Sequence, residues 1–365
     1  MLERYIKKLD RQISDNKSRN LVLNDKGSDF LSNDYLGLAV NKHLNQIFKS
    51  NLDAHYNSDI QNTTGSRLLG GNLKHHEDFE TWVSEIFNSE TALLFNSGYT
   101  ANLGLISCIS DRDTIIIYDE YIHASIRDGI RLGFNKAAYS FRHNDLNHLE
   151  SLLQNLNNEK CIVITETLFS MHGDAPEIDN LLQIIERFKV FLILDHAHSF
   201  PITLTIKQIA VFNNNPLVLA QVITFGKAVG SHGAVVLSSK ILKTYLVNFS
   251  RPFIYTTSPN FEFVEAIKVR LQYIESEKHI SYLTALDKNI LLFSNLMQIE
   301  RNSPIQFLKF DANQIDALKK KFKENNILLK AIHTPTVPKN EEGFRIILHA
   351  YNTALEINKL TDLLK

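Results

Sequence analysis

Between about residues 90 and 240, short apolar runs alternate with amphipathic stretches. The runs are TALLFN (91–96), DTIIIYD (113–119), AAYSF (137–141), CIVITET (161–167), VFLILD (190–195), AQVITFG (220–226) and GAVVLS (233–238). Runs this short, rich in β-branched residues and bounded by polar turns, are the pattern of strands buried on both faces of a mostly parallel sheet. Seven strands in an α/β layer are therefore predicted. Helices fit the intervals: NDLNHLESLLQNL (144–156) opens on Asn-Asp cap chemistry, and NLLQIIERF (180–188) carries apolar residues at helical spacing. The last two runs, joined by a short Gly-rich link, predict an antiparallel pair, like a hairpin at the sheet's end.

From about residue 262 the pattern changes. The stretch EFVEAIKVRLQYIESEKHISYLTALDKNILLFSNLMQ reads as nearly continuous helix. It is followed by a strand at IQFLKF, a helix at NQIDALKKKFKENN, a strand pair around ILLKAI and FRIILHA, and a closing helix ALEINKLTDLLK. This is the make-up of a separate α+β domain. The expected organisation is an N-terminal segment 1–45, a large domain 46–262 and a small C-terminal domain 263–365.

Composition narrows the class. Of 365 residues, 44% are apolar and 22 are Phe, enough to offset ordering entropy with a buried core. Lys plus Arg number 39 against 40 for Asp plus Glu, a formal charge of −1. That balance removes the electrostatic case for nucleic acid or an anionic membrane as partner. Cys108 and Cys161 lie in apolar runs and read as inert buried thiols of a reducing compartment. MLERYIKKLDRQ has charges every few residues and does not read as a signal peptide, and no apolar stretch approaches membrane-span length. A cytoplasmic globular protein is expected.

In open α/β sheets, ligands sit beyond the carboxyl ends of the strands, so the residues after each run carry the candidate chemistry. Lys227 follows the sixth run, and a lysine desolvated at a strand end can act as a neutral amine nucleophile. A Walker phosphate loop is excluded there, because Gln221 and Ala228 stand where Gly and Ser or Thr are needed. Asp195 ends the fifth run, with His198 three positions on. A carboxylate there needs a cationic or donor partner, and a protonated pyridine nitrogen is one. A metal held by Asp195, His196 and His198, as in a hydrolase, is the rival reading. In LLFNSGYTANLGL, a Ser-Gly turn between strand and helix offers the N–H groups of Gly98 and Tyr99 to an anion.

In their order and spacing these segments resemble the α-oxoamine synthases, pyridoxal-phosphate enzymes of fold type I. The matching stretches are FLSNDYLGLA (30–39), GSRLLGGNLKHHEDFE (65–80), LLFNSGYTANLG (93–104), EYIHASIRDG (120–129), FRHND (141–145), TETLFSMHGDAPEI (165–178), LDHAH (194–198), TFGKA (224–228) and RPFIYTTSPN (251–260), with a weaker match in FRIILHA. The resemblance implies a three-layer α/β/α large domain binding pyridoxal 5'-phosphate, plus a small α+β domain. It implies Lys227 as the Schiff-base lysine that later moves the substrate's Cα proton, Asp195 on the pyridine nitrogen, and His198 and Ser170 on the phenolic oxygen. His123 would stack on the ring. Gly98, Tyr99 and Thr224 would hold the phosphate, with Thr256 or Thr257 reaching it from a second subunit, hence a homodimer with shared sites.

Asn33 and Arg345 would meet substrate, Arg345 by forking onto the amino acid's carboxylate. Strand alternation puts Arg345, Ile347 and His349 on one face, and His349 stands where the family has a small hydroxyl residue contacting substrate. The implied reaction is decarboxylative condensation of an amino acid with an acyl thioester, carried by coenzyme A or an acyl carrier protein. L-alanine and a pimeloyl chain, as in biotin synthesis, are the preferred pair. Glycine or serine with another acyl-CoA, as in 2-amino-3-ketobutyrate CoA ligase, is the alternative. Two departures stand out: His196 occupies a usually acidic position, and SFPITLT replaces the small residues that usually follow His198.

Overall fold

The computed structural model describes residues 1–14, 21, 23, 26–56, 63–156, 159–300, 303–334, 336–338 and 340–365. The chain divides into a large unit, 33–170 with 174–283, and a small unit, 1–32, 171–173 and 284–365. Compared with edges drawn at 45/46 and 262/263, residues 33–45 and 263–283 go with the large unit. Tyr35, Leu36 and Leu38 are fully buried there, as are Ile267 and Leu271.

Each of the seven apolar runs forms a strand of one sheet: β1 (Thr91–Phe95), β2 (Thr114–Asp119), β3 (Ala137–Phe141), β4 (Lys160–Glu166), β5 (Phe191–Asp195), β6 (Val218–Thr224) and β7 (Ala234–Ser238). Their spatial order is β1-β7-β6-β5-β4-β2-β3. Five strands run parallel, and β7 is antiparallel to both β6 and β1. The β6–β7 connection is thus antiparallel as expected, but it does not end the sheet. Every residue of β7 is buried, and a strand without a solvated side needs hydrogen-bonding neighbours on both edges; β1 supplies the second.

Alternation sorts the strand residues onto two cores. Ile116, Ile162, Ile164 and Ile193 face one side with Leu105 and Ile106 of α1 (Gly98–Ile109) and Ile126 of α2 (Ala124–Leu132). Ile115, Ile117, Val163, Leu192 and Leu194 face the other, against Leu149 and Leu153 of α3 (Leu146–Asn155) and Leu181, Ile184 and Ile185 of α4 (Ile178–Phe188). Helices therefore cover both faces. Asp145 caps α3 by accepting from the His148 amide at 2.9 Å. The long stretch read as one helix is two, Phe261–Glu275 and Ile280–Met297. It breaks at Ser276-Glu277-Lys278-His279, a run with no apolar side chain to bury, and Glu277 takes φ +60°.

In the small unit, β8 (Ile305–Lys309), β9 (Lys330–Ile332) and β10 (Gly343–Ile347) form an antiparallel sheet in the order β9-β10-β8. Two helices, Ala312–Glu324 and Ala354–Leu364, belong to it. Among the described residues, no helix is long and apolar enough to cross a membrane.

The sheet's β1 edge is held by a buried ion cluster. Glu80, 2% exposed, accepts from Arg67 Nη1 at 2.8 Å, from Lys243 Nζ at 2.9 Å and from the Leu94 amide at 2.8 Å. Burial pushes Glu80 up, but Arg67 and Lys243 outweigh it and hold it below the ordinary glutamate range. A depressed carboxyl stabilises the fold above its unfolded pKa and loses that contribution as pH falls through its folded value. Glu80→Gln, which leaves buried Arg67 with only the exposed Glu77 carboxylate at 3.6 Å as counter-charge, is expected to cost roughly 3 kcal/mol in urea unfolding at neutral pH. The acid-side loss of stability should be correspondingly smaller in the variant.

Candidate active site

At the carboxyl ends of the central strands lies a cavity of about 230 Å³. Its walls include Asn33, Gly98, Tyr99, His123, Asp195, His198, Thr224 and Lys227. Eight of the sequence-derived candidates thus share one pocket; seven of them follow or end a strand of the sheet, or start the helix after one, and Asn33 comes from the segment before the sheet. Ser170 lies in the turn region after β4, half-buried and not among these lining residues. Thr256 and Thr257 lie beside Asn96, whose side-chain amide donates to Thr256 Oγ1 at 3.0 Å and to the Thr257 carbonyl at 3.1 Å. Arg345 and His349 belong to the small unit. Arg345 sits half-buried on β10 opposite Phe307 and Lys330. His349 lies past the end of β10, fully buried, with Nδ1 3.0 Å from the Asp29 carbonyl and Nε2 2.9 Å from that of Ser32.

The phosphate-sized end of the pocket follows from local sequence. Ser97 caps α1: its hydroxyl accepts from the Thr100 amide at 3.1 Å, and Thr100 Oγ1 accepts from the Ser97 amide at 3.1 Å. The next amides, Gly98 and Tyr99, open the first turn, where N–H groups have no intrahelical acceptor and the helix dipole favours an anion. Gly98 is required by close approach, since a Cβ there would meet Thr224 Cγ2 at 2.5 Å.

Asp195 is 2% exposed. Its Oδ1 accepts from the Ala197 amide at 2.9 Å and its Oδ2 from Asn102 Nδ2 at 2.7 Å. The Asn102 amide also donates to Ser125 Oγ at 3.1 Å, and Ser125 Oγ lies 2.7 Å from His123 Nδ1. A relay of polar groups thus joins the carboxylate to the imidazole. Burial lowers His123 below its ordinary pKa, with the charge of Asp195 opposing and that of Lys227 adding.

Glu166, beside Asp195 in the β4–β5 register, also lines the pocket and accepts from the His123 amide at 2.6 Å. Burial, then the charge of Asp195, raises it well above the ordinary glutamate range. Beside Asp195, Glu166 is thus biased toward its protonated form. Glu166 falls in the post-strand stretch 166–170 where sequence reasoning places ligand contacts, whereas Asn102 and His232 are wall residues it did not single out. For Asn102 a signal existed: four residues after Gly98, it shares the helix face that starts at the anion site.

The rival metal set does not assemble. His196 turns away, its Nδ1 2.9 Å from Thr167 Oγ1 and its Nε2 2.8 Å from Gln221 Oε1, and burial drops it to about pKa 4. Among the described residues, no group of three or more His, Cys, Asp or Glu is arranged to hold a metal. Burial pushes both Cys108 and Cys161 up to about 11, which keeps them as unreactive thiols.

Comparison with known proteins agrees with this geometry. The profile of the aminotransferase class I and II family matches residues 26–362, and the chain belongs to that family, within its α-oxoamine synthase branch. A Haemophilus influenzae protein provisionally named 8-amino-7-oxononanoate synthase is 33% identical over 354 residues, covering 92% of this chain and 90% of its own. The crystal structure of 8-amino-7-oxononanoate synthase from Francisella tularensis has a TM-score of 0.76 at 29% identity, covering 93% of this chain and 97% of its own. Serine palmitoyltransferase of Sphingomonas wittichii shares the fold, with a TM-score of 0.83 at 23% identity over 98% of this chain and 96% of that one.

A carboxyl raised in the folded state stabilises the fold below its unfolded pKa, and that contribution is lost as pH rises through the folded value. Glu166→Gln copies the protonated side chain at every pH. Its unfolding free energy should match wild type in mild acid, and the wild-type decline on the alkaline side should be flattened. Urea titrations at a series of pH values check this; a large loss in mild acid contradicts a protonated Glu166.

Proposed function

We propose that this chain catalyses the decarboxylative condensation of L-alanine with a pimeloyl thioester, forming 8-amino-7-oxononanoate for biotin synthesis. The chain is a pyridoxal-phosphate-dependent acyltransferase of the α-oxoamine synthase type. The observation that carries the reading is the pairing of Lys227 and a buried, amide-held Asp195 in one pocket, with an anion-binding helix start at its wall. The choice of alanine and pimeloyl thioester is supported by the names of the relatives.

The donor set suits the cofactor. Asp195 needs a cation, and the Gly98–Thr224 approach leaves backbone N–H groups open to a phosphate where a Cβ would intrude. When bound, pyridoxal phosphate supplies a sink for the electron pair left on the amino acid's Cα. Lys227 would hold the cofactor through Nζ and, once displaced by the amino acid, take the Cα proton. Asp195 would keep the ring nitrogen protonated, and Asn102 and the Ala197 amide keep Asp195 aimed. His123, held neutral by burial, would cover a ring face, while His198 and Ser170 would hydrogen-bond the phenolic oxygen.

The amides of Gly98 and Tyr99 and the hydroxyl of Thr224 would bind the phosphate. Thr256 or Thr257 of a second copy would complete that site, which makes the working enzyme a homodimer. Asn33 and Arg345 keep the substrate-binding roles that the resemblance implies. His349 is spent on two backbone carbonyls within the small unit, so it is left out of the substrate set. The enzyme would act in the cytoplasm on thioesters of coenzyme A or of an acyl carrier protein.

Thiol release by the purified, cofactor-loaded protein tests the substrate pair. Alanine with pimeloyl thioester should exceed glycine or serine, and other acyl chains, by about tenfold or more, the scale on which pocket contacts discriminate. Faster release with glycine or serine would reassign the substrate while leaving the class intact. Lys227→Ala should lose both the visible absorbance of the bound cofactor and turnover; a variant keeping both would overturn the assignment.

A further inference from the structure

We infer that Tyr35 is a positioning residue of this site, one that sets which nitrogen of His198 carries the proton facing the pocket. This rests on the reading that His198 meets the cofactor's phenolic oxygen. Tyr35 is fully buried, and its hydroxyl lies 2.7 Å from His198 Nδ1 and 3.3 Å from Asn33 Oδ1. The two rings meet edge-on at 73°. The residues around Tyr35 cannot drift: Leu36 and Leu38 are fully buried, the Gly37 amide donates to the Asp34 carbonyl at 2.9 Å, and the Asp34 carboxylate accepts from the Ala39 amide at 3.2 Å.

The phenol has one hydrogen, and both His198 Nδ1 and Asn33 Oδ1 lie within its reach. Given to Nδ1, the shorter contact, it leaves neutral His198 protonated on Nε2, the nitrogen that can meet a pocket ligand. If His198 takes up a second proton, the phenol can turn its hydrogen to Asn33 Oδ1 and accept from Nδ1–H instead. In both states Nε2 keeps a hydrogen to donate to an anionic oxygen. Without the hydroxyl, the neutral ring can hold its proton on Nδ1 and present a lone pair to that oxygen, which repels it. The same chemistry explains why a Tyr stands at this buried position, since a Phe would bury its ring but leave His198 Nδ1 without the hydroxyl. The other titratable groups lining the pocket are Tyr99, His123, Glu166, Asp195, Lys227 and His232.

The test is the pH titration of the visible absorbance of the pyridoxal-phosphate-loaded enzyme. A donor on the phenolic oxygen draws charge from it, so losing the donor should raise the titration midpoint. Tyr35→Phe is expected to raise it by about half a pH unit or more, and His198→Asn likewise. The double variant should shift no further than His198→Asn alone, since both changes remove the same hydrogen bond. A wild-type midpoint in Tyr35→Phe, where His198→Asn does shift, overturns the proposal; so does a double-variant shift equal to the sum of the two. A midpoint that His198→Asn leaves unmoved overturns the His198 reading itself and Tyr35's role with it. Should Tyr35→Phe fail to fold, ring ¹⁵N shifts of histidine-labelled wild-type holoenzyme decide, with the His198 signals identified by their loss in His198→Asn. A proton on Nε2 supports the proposal, and a proton on Nδ1 alone overturns it.

Discussion

Two carboxyl groups stand side by side out of water at the ends of β4 and β5, and most of the pocket follows from that. Parallel pairing puts Glu166 opposite Asp195 in register, each about 2% exposed. Ionising both without a cation would cost more than the fold can recover. The conflict is resolved asymmetrically: burial and its neighbour push Glu166 toward its protonated form as it accepts the His123 amide, while Asp195 collects an amide hydrogen bond on each oxygen. These hydrogen bonds orient Asp195 and leave its charge to be met by a ligand. A protonated heteroaromatic ring is suited to meet it, because it brings the cation and the electron sink in one group.

The helix α1 couples the two ends of such a ligand. Its first turn offers Gly98 and Tyr99 to an anion, and one turn later Asn102 grips Asp195. A shift of this helix would therefore move the anion cradle and the support of the carboxylate together. Gly98 can approach Thr224 only because it lacks a Cβ, so helix and β6 are held at a fixed separation. Asn102, Ser125 and His123 extend the arrangement to the residue proposed to cover the ring. Rigidity here is a set of filled hydrogen-bond valences, each donor or acceptor already committed to a named neighbour.

The large sheet was legible because its strands are short, apolar and bounded by polar turns, a pattern that few other arrangements produce. The place of β7 was not, since strand order depends on which edges find partners, and no local residue states that. The break at 276–279 was masked by continuous helix-forming residues on either side, although its four polar residues were visible. In the pocket, the residues ending or following strands were legible from the rule that ligands gather at carboxyl edges. Glu166 was legible as a residue at a strand's carboxyl end, but its raised pKa was not, because that depends on a neighbour nearly thirty residues away. Tyr35 was quoted within a motif, but its contact with His198 spans 163 positions and leaves no periodic trace. His349 was read from strand alternation as facing substrate, whereas β10 ends at Ile347 and the ring lies beyond the strand, where alternation no longer governs its direction.

The formal charge of −1 counts Glu166 as an anion, although its burial and its neighbour push it toward the protonated form. Such a count describes the surface, where charges are solvated, and is silent about a pocket whose electrostatics are set by desolvation. Within this pocket, the raised Glu166, the lowered His123 and the amide-held Asp195 leave a small local imbalance among buried groups. An imbalance of that kind is worth far more there than on the surface, because little water screens it. Recognition of a zwitterionic cofactor then needs no charged surface: in the proposed reading the anionic end would meet helix amides and the cationic ring would meet Asp195.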